Sequence, residues 1–160
     1  MMTIYGFCEQ CNASEAAEAA MSACTDMQQV WQTATPGNLI WIATRPGVLT
    51  GKELRLFAAF CAGQVAHLIT DEVVWTPWGS PQGIWKTAAT ASASANAKKA
   101  AQAAAGSDPQ LAAVQAADFA AMAFAMENRD MTWAAAFAAA SEAQVKWLRE
   151  NTKPNFEEVE

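Results

Sequence analysis

The clearest hydrophobic pattern in the chain lies between residues 50 and 70. Apolar and small residues recur there at the three- and four-residue spacing of one helix face, namely Leu54, Phe57, Ala58, Cys61, Val65, Leu68 and Ile69. Thr50 and Glu53 have the spacing of a capping box, which places the start of the helix at Thr50. The opposite side is also mostly apolar or small, with Leu56, Phe60, Gly63 and His67. A helix of this kind is typical of a protein interior, so we predict a buried central helix at about 50–70.

Shorter helical patterns precede this segment. Ser14 is a suitable N-cap for one short helix, and Thr25 and Asp26 start another. The apolar run 39–42 is predicted to be a buried helical segment, because the rest of the chain is helical in pattern. Residues 1–13 show no periodicity and are predicted to be irregular. Residues 72–83 are predicted to form a loop rich in Trp, Pro and Gly, with the next helix starting at Ser80 and Pro81.

Alanine dominates from Ala88 to Ala143, and it is the best helix former. The helix predicted from Pro109 carries its large apolar side chains on one broad face. These are Leu111, Val114, Met122 and Met126, with Phe119 at the edge and Gln115 and Asp118 inside the face. A last helix carries Trp133, Phe137, Ala140, Gln144 and Leu148 and ends before Pro154. The segment 153–160 is an acidic tail, which we expect to be frayed from Glu157 onward.

Together these patterns predict an all-α fold. We expect one domain, residues 1–160, built as a bundle of about six helices around the central helix, with alanine-rich C-terminal helices. Hydrophobic residues make up 52% of the chain and charged residues 16%, which excludes an intrinsically disordered protein.

The net charge of −6 disfavours direct nucleic-acid binding, because phosphate contacts need a basic surface. It would suit a protein partner with a basic surface. We find no membrane-spanning segment and no signal-peptide pattern, so a cytoplasmic location is expected.

A zinc site is the first chemical possibility. Cys8 and Cys11 form a C-x-x-C pair, with Cys24 as a third ligand and His67 or Cys61 as a fourth. One such pair without a second is a weak signal, and buried free cysteines behave as small hydrophobic residues. We therefore expect no metal and no cofactor, and keep a small zinc-stabilised interaction module as an alternative.

Catalytic patterns are absent from the sequence. There is no nucleotide-binding glycine motif, H-E-x-x-H or G-x-S-x-G. His67 is the single histidine, and we expect it to be a partly buried structural residue. Asp118 lies within an apolar face, so if buried it should pair with Arg55 or His67, or else lie at the edge of a groove. We expect a protein that is not an enzyme.

Trp75 and Trp78 are the candidate binding residues, since tryptophan is enriched at the energetic centres of protein interfaces. The alternative is that both fold back over the ends of the helices.

The stretch 23–71 resembles the helical immunity proteins attached to bacterial polymorphic toxin systems, and their alanine-rich relatives in phage genomes. The residues that carry the resemblance are Cys24, Trp31, Pro36, the block 39–43, Leu54, Arg55, Leu56, Cys61, Ala62 and the block 67–71, followed by Gln144, Leu148, Arg149 and Glu150. The resemblance implies a small helical protein that binds and neutralises another protein.

We therefore expect a protein-binding inhibitor, of the immunity or phage anti-defence type (anti-CRISPR-like), that acts by steric occlusion as a monomer or homodimer. The alternative is a structural or assembly protein that self-associates.

Overall fold

The computed structural model describes residues 2–69 and 81–157, with residues 81–90 as backbone only. The described residues form eight α-helices and one short 3-10 helix, with no strand among them. The helices are α1 (Ile4–Gln10), α2 (Glu15–Met21), α3 (Met27–Thr33), α4 (Pro36–Ala43), α5 (Gly51–Val65), α6 (Pro81–Ala104), α7 (Pro109–Glu127) and α8 (Trp133–Asn151), and the 3-10 helix Ala66–Leu68 follows α5. The all-α prediction is confirmed, and the expected number of about six helices is too low.

Local capping chemistry sets most of the helix starts. The hydroxyl of Thr50 accepts the N–H of Glu53 while the Glu53 carboxylate accepts the N–H of Thr50, so the predicted capping box is present. Ser14 and Asp26 cap α2 and α3 as expected, and Asp108 caps α7 with Pro109 as its first residue.

The N-terminus differs from the sequence-based expectation. Residues 1–13 were predicted to be irregular, but Thr3 caps α1 by accepting the N–H of Gly6. A helix of seven residues shows too few turns for a periodic signal, and the buried Phe7 and Cys8 fix it against its neighbours.

Helices α5 to α8 pack together as the main body. Both α5 and α7 contact each of the other three. The two helices run parallel: a Cβ built on Gly51 would lie 3.5 Å from Pro109 Cγ at their starts, and His67 Nε2 lies 3.4 Å from Glu127 Oε2 near their ends. Arg55, near the start of α5, donates to the carbonyls of Gly106 and Ser107 at the end of α6, so α6 runs antiparallel to both.

The predicted central helix is therefore buried mainly on one side, with Phe60 of the second line half-buried against Trp147 of α8. Leu54, Phe57 and Cys61 of α5 are buried, but Leu56 is 51% exposed. The prediction of a helix buried all round was wrong because the second apolar line is short and broken by a glycine. Helix α7 shares the centre of the body with α5.

The N-terminal helices pack around a cluster of aromatic rings, the aromatic cluster, which consists of Phe7, Trp31, Trp41 and Phe156. The ring of Phe156 lies 6.1 Å from that of Phe7 and 6.1 Å from that of Trp31, and the Phe7 ring lies 6.2 Å from that of Trp41. The run 39–42 is helical within α4, with Leu39 and Ile42 buried, as predicted.

The segment after α8 is anchored by this cluster. Asn155 N–H donates to the Val48 carbonyl, and Met2 N–H donates to the Phe156 carbonyl. Phe156 is buried, whereas Glu157 is exposed. The acidic tail predicted for 153–160 is thus fixed at least to Phe156, and residues 158–160 lie outside the described part of the chain.

No helix in the described ranges combines the length and the apolar character that crossing a membrane requires.

Candidate interaction surface

Helix α7 turns its alanines inward, whereas its large side chains are exposed or half-buried, with Phe119 and Phe124 packed against the edge of the core. All eight of its alanines are buried, namely Ala112, Ala113, Ala116, Ala117, Ala120, Ala121, Ala123 and Ala125. Leu111 is 53% exposed and Val114 is 38% exposed. The usual surface helix does the opposite, with its large apolar residues facing the core.

We name the outward face of this helix the α7 stripe. It consists of Leu111, Val114, Gln115, Asp118, Phe119 and Met122, of which the first four are exposed and the last two are half-buried. The sequence predicted that these residues and Met126 share one face, and in the structure each of them is exposed or half-buried. That face points to solvent, however, and the alanine face forms the core.

Alanine packing explains the orientation. The alanine face of α7 meets α5, α6 and α8, and alanine lets helices approach closely. On α6 the residues that complete this contact are also small, including Ala93, Ala97 and Ala100, all buried. A leucine or methionine would not fit in so narrow a space without displacing a neighbour. The larger side chains are therefore left on the solvent side.

A groove of about 400 Å³ lies beside the stripe, between the end of α6 and the first half of α7. Leu111, Gln115 and Phe119 line it from α7, and Lys99 and Gln102 line it from α6. The Lys99 ammonium lies 5.5 Å from the centre of the Phe119 ring, within cation–π range. The groove is thus lined by both apolar and polar side chains.

Asp118 does not form the ion pair considered from the sequence. It is exposed, and in the described residues it has no ion-pair partner. Arg55 is engaged with the backbone at the end of α6, and His67 lies beside Glu127. His67 was expected to be partly buried, but its side chain is 62% exposed because it lies on the 3-10 turn that ends α5.

The four cysteines are all free thiols. Cys8 and Cys61 are buried, and Cys11 and Cys24 are half-buried. Among the residues that the structure describes, no three Cys, His, Asp or Glu side chains are grouped so that they could hold a metal ion. The alternative zinc site at Cys8, Cys11 and Cys24 therefore has no support in the geometry.

Burial also favours the protonated thiol at Cys8 and at Cys11. It raises the pKa of Cys8, and the nearby Glu18 and Cys11 add to the effect. It raises the pKa of Cys11 too, against the opposing charge of Arg45. Metal ligation and nucleophilic attack need the thiolate, so a raised pKa disfavours both roles.

Trp75 and Trp78 lie outside the described residues, so their expected role as partner anchors stays a prediction. The α7 stripe was not among the sites predicted from the sequence. The available signal was that Gln115 and Asp118 interrupt an apolar line while an unbroken line of alanines runs along the other side of the same helix.

Comparison with known proteins gives no further assignment: no family model, no curated protein and no solved structure matches the chain.

Proposed function

We propose that this protein is a non-enzymatic protein-binding inhibitor that acts through the α7 stripe by occluding a surface of its partner. The observation that supports the proposal most strongly is the outward orientation of Leu111 and Val114, on a helix whose buried face is made of alanine. Leu111 and Val114 lie one turn apart and expose apolar surface beside the polar Gln115 and Asp118, and exposed apolar surface next to polar residues is typical of protein interaction sites.

Charge narrows the kind of partner. Helix α7 carries Asp118 and Glu127 and contains no Lys or Arg, and the whole chain has a net charge of −6. A partner with a basic surface around an apolar contact would be attracted to this face and oriented by it. Binding and neutralising another protein is the action that the resemblance to helical immunity proteins implies.

The stripe can be tested by capture of partners with a tagged protein, from a lysate of the organism that encodes it. The test variant is Leu111→Lys/Val114→Lys, which replaces the apolar contact by like charge for a basic partner. The matched control is Leu56→Lys, since Leu56 is 51% exposed and lies on α5. Quantitative mass spectrometry compares the proteins retained by each.

We expect wild type and Leu56→Lys to retain the same partner, and the α7 double variant to lose it by at least about tenfold, because interface cores rest on a few apolar anchors. If wild type and both variants retained the same partners, the role of the stripe in partner binding would be refuted. An Asp118→Lys variant tests the charge: capture should fall for a basic partner, and an unchanged amount would remove that part of the proposal.

A further inference from the structure

The α7 stripe has a spacing that is the same in both directions along the helix. Its central line consists of Leu111, Gln115, Asp118 and Met122, separated by four, three and four residues. Reversing the helix about the point between residues 116 and 117 exchanges Leu111 with Met122, and Gln115 with Asp118. The stripe is therefore complementary in spacing to a second, antiparallel copy of itself.

Chemistry agrees with this exchange. In an antiparallel pair, the outer layers would set Leu111 of one copy against Met122 of the other, which is apolar against apolar. The two inner layers would set the Gln115 amide of one copy against the Asp118 carboxylate of the other. An amide N–H that donates to a carboxylate forms a charge-assisted hydrogen bond, so the carboxylate is compensated when water leaves.

A parallel pair lacks this complementarity. It would set Asp118 against Asp118 and Gln115 against Gln115, placing two like charges at the centre of the contact. Like charges at an interface disfavour the arrangement that brings them together. Charge thus selects the antiparallel orientation.

We propose that, in the free protein, the α7 stripe is covered by a second copy of the chain in a two-fold symmetric, antiparallel α7–α7 contact. The inference rests on the proposed function only for the statement that the stripe is a binding surface. The two-fold axis is perpendicular to both α7 helices, so the α6 helices of the two copies lie on the same side of the contact. Phe119 of each copy then lies over the groove that Leu111, Gln115 and Lys99 line in its partner.

The contact is small. One helix pair with four layers buries less than the roughly 1,600 Å² of a standard interface, so association should be weak, on the order of micromolar. Sedimentation equilibrium from about 1 to 200 μM spans this range. A partner protein that binds the stripe would have to displace the second copy.

Two substitutions at one exposed position give opposite expectations. Gln115→Lys sets an ammonium against the Asp118 carboxylate of the other copy in both inner layers, and should tighten the dimer by about tenfold. Gln115→Glu sets carboxylate against carboxylate and should weaken it by about tenfold. Gln115 is exposed in the monomer, so circular dichroism should show equal helix content in both variants.

The inference would be overturned if the dissociation constant of the dimer changed in the same direction in both variants, or changed in neither. It would also be overturned if the protein were monomeric at every concentration. Both substitutions leave the apolar contacts of Leu111 and Val114 in place. Loss of partner capture in Leu111→Lys/Val114→Lys can therefore be observed whether or not the protein dimerises, which separates the failure of this inference from that of the proposed function.

Orientation can be tested by mixing two variants that each add one cysteine to the four native ones, Leu111→Cys and Met122→Cys. In the antiparallel pair each new thiol faces the other variant's thiol, whereas like positions lie about 16 Å apart along the helix. We expect oxidation of the mixture to yield a linked dimer above the wild-type background, and oxidation of either variant alone to yield none. Linkage in the separate variants, with no additional linkage in the mixture, would show a parallel contact and refute the proposal.

Discussion

Two parts of this molecule are stabilised by opposite means. The N-terminal helices gather around the aromatic cluster, where Phe7, Trp31 and Phe156 are each nearly or fully buried. Helices α6 and α7 meet through alanines. In the first part a few large side chains fill space between short helices. In the second the fully buried side chains between the helices are alanines, and larger side chains such as Phe119 contact α6 only at the edge.

The difference has a consequence for specificity. Large rings fit one another in few arrangements, so the aromatic cluster defines its own geometry. An alanine face is nearly uniform along its length, so sliding one helix against another would recreate many of the same contacts. Buried Gln144 of α8 donates to the carbonyl of Ala117 at 3.0 Å, and that bond exists in one register only. A buried polar residue that fixes register at a cost in stability is known from coiled coils.

The largest effect should come from Phe156→Ala, which removes the ring between Phe7 and Trp31. Burial of this ring also anchors the chain segment after α8. We expect a loss of about 3–5 kcal/mol in the free energy of unfolding, the usual cost of replacing a buried phenylalanine by alanine. Urea denaturation measures it, with the exposed neighbour change Glu157→Ala as control. A loss below about 1 kcal/mol would mean that the aromatic cluster does not hold this segment.

The alanine contacts should respond to the reverse change, from small to large. Ala120→Leu on α7 adds three carbon atoms at a position 1% exposed, and should cost about 1–3 kcal/mol through overpacking. Ala139→Leu on α8 is the control, since that alanine is exposed and leucine is also a good helix former. Equal stability of the two variants in thermal denaturation would show that the α7 contacts are looser than the structure indicates.

Gln144→Met tests whether Gln144 fixes the register of α8 against α7 independently of its effect on stability. Gln144 is fully buried, and within the described residues its Oε1 has no hydrogen-bond partner. Methionine has a similar length and no oxygen to desolvate, so the free energy of unfolding should rise by about 1 kcal/mol. Amide hydrogen exchange along α7 and α8 should nevertheless become faster, since the bond to Ala117 is lost. A variant that is less stable and exchanges no faster would contradict a register role.

The sequence predicts those features of the fold that depend on neighbouring residues. The capping box at Thr50 and the cap at Asp108 are decided within one helical turn, and both are present. The side of α7 that faces the core is not decided locally. Its alanine line and its Leu/Met line both have helical spacing, and only the approach of the other helices determines which is buried. This is why the residues of the α7 stripe could be placed on one face, but not placed in solvent.

Phe156 is a second residue whose environment could not be predicted from its neighbours in the sequence. A single phenylalanine in a polar C-terminal segment carries no periodic signal. Its partners Phe7 and Trp31 lie more than a hundred residues earlier in the chain. Burial of such a residue follows from the tertiary fold and cannot be derived from its neighbours.

The smallest expected effect lies where the two parts of the molecule meet, at Glu53. Burial favours a higher pKa for this carboxyl, but hydrogen bonds from Thr50 and from the N–H of Lys153 outweigh it and hold the pKa below its ordinary value of 4.5. A pKa lowered by folding adds stability above the unfolded value, and that stability is lost as the pH falls through the folded value. Because the carboxylate is partly exposed to solvent, the contribution should be only about 0.5 kcal/mol.

Glu53→Gln isolates this contribution, because glutamine can still accept the Thr50 hydrogen bond in the capping box. Wild type should be more stable than the variant in urea at pH 7, and the difference should disappear as the pH is lowered from about 5 to 3. A difference that stayed constant over that range would mean that the hydrogen-bond geometry of Glu53, and not its charge, joins the start of α5 to the segment that carries Phe156. The link between the capping box and the segment that carries Phe156 would then depend on hydrogen-bond geometry and not on charge.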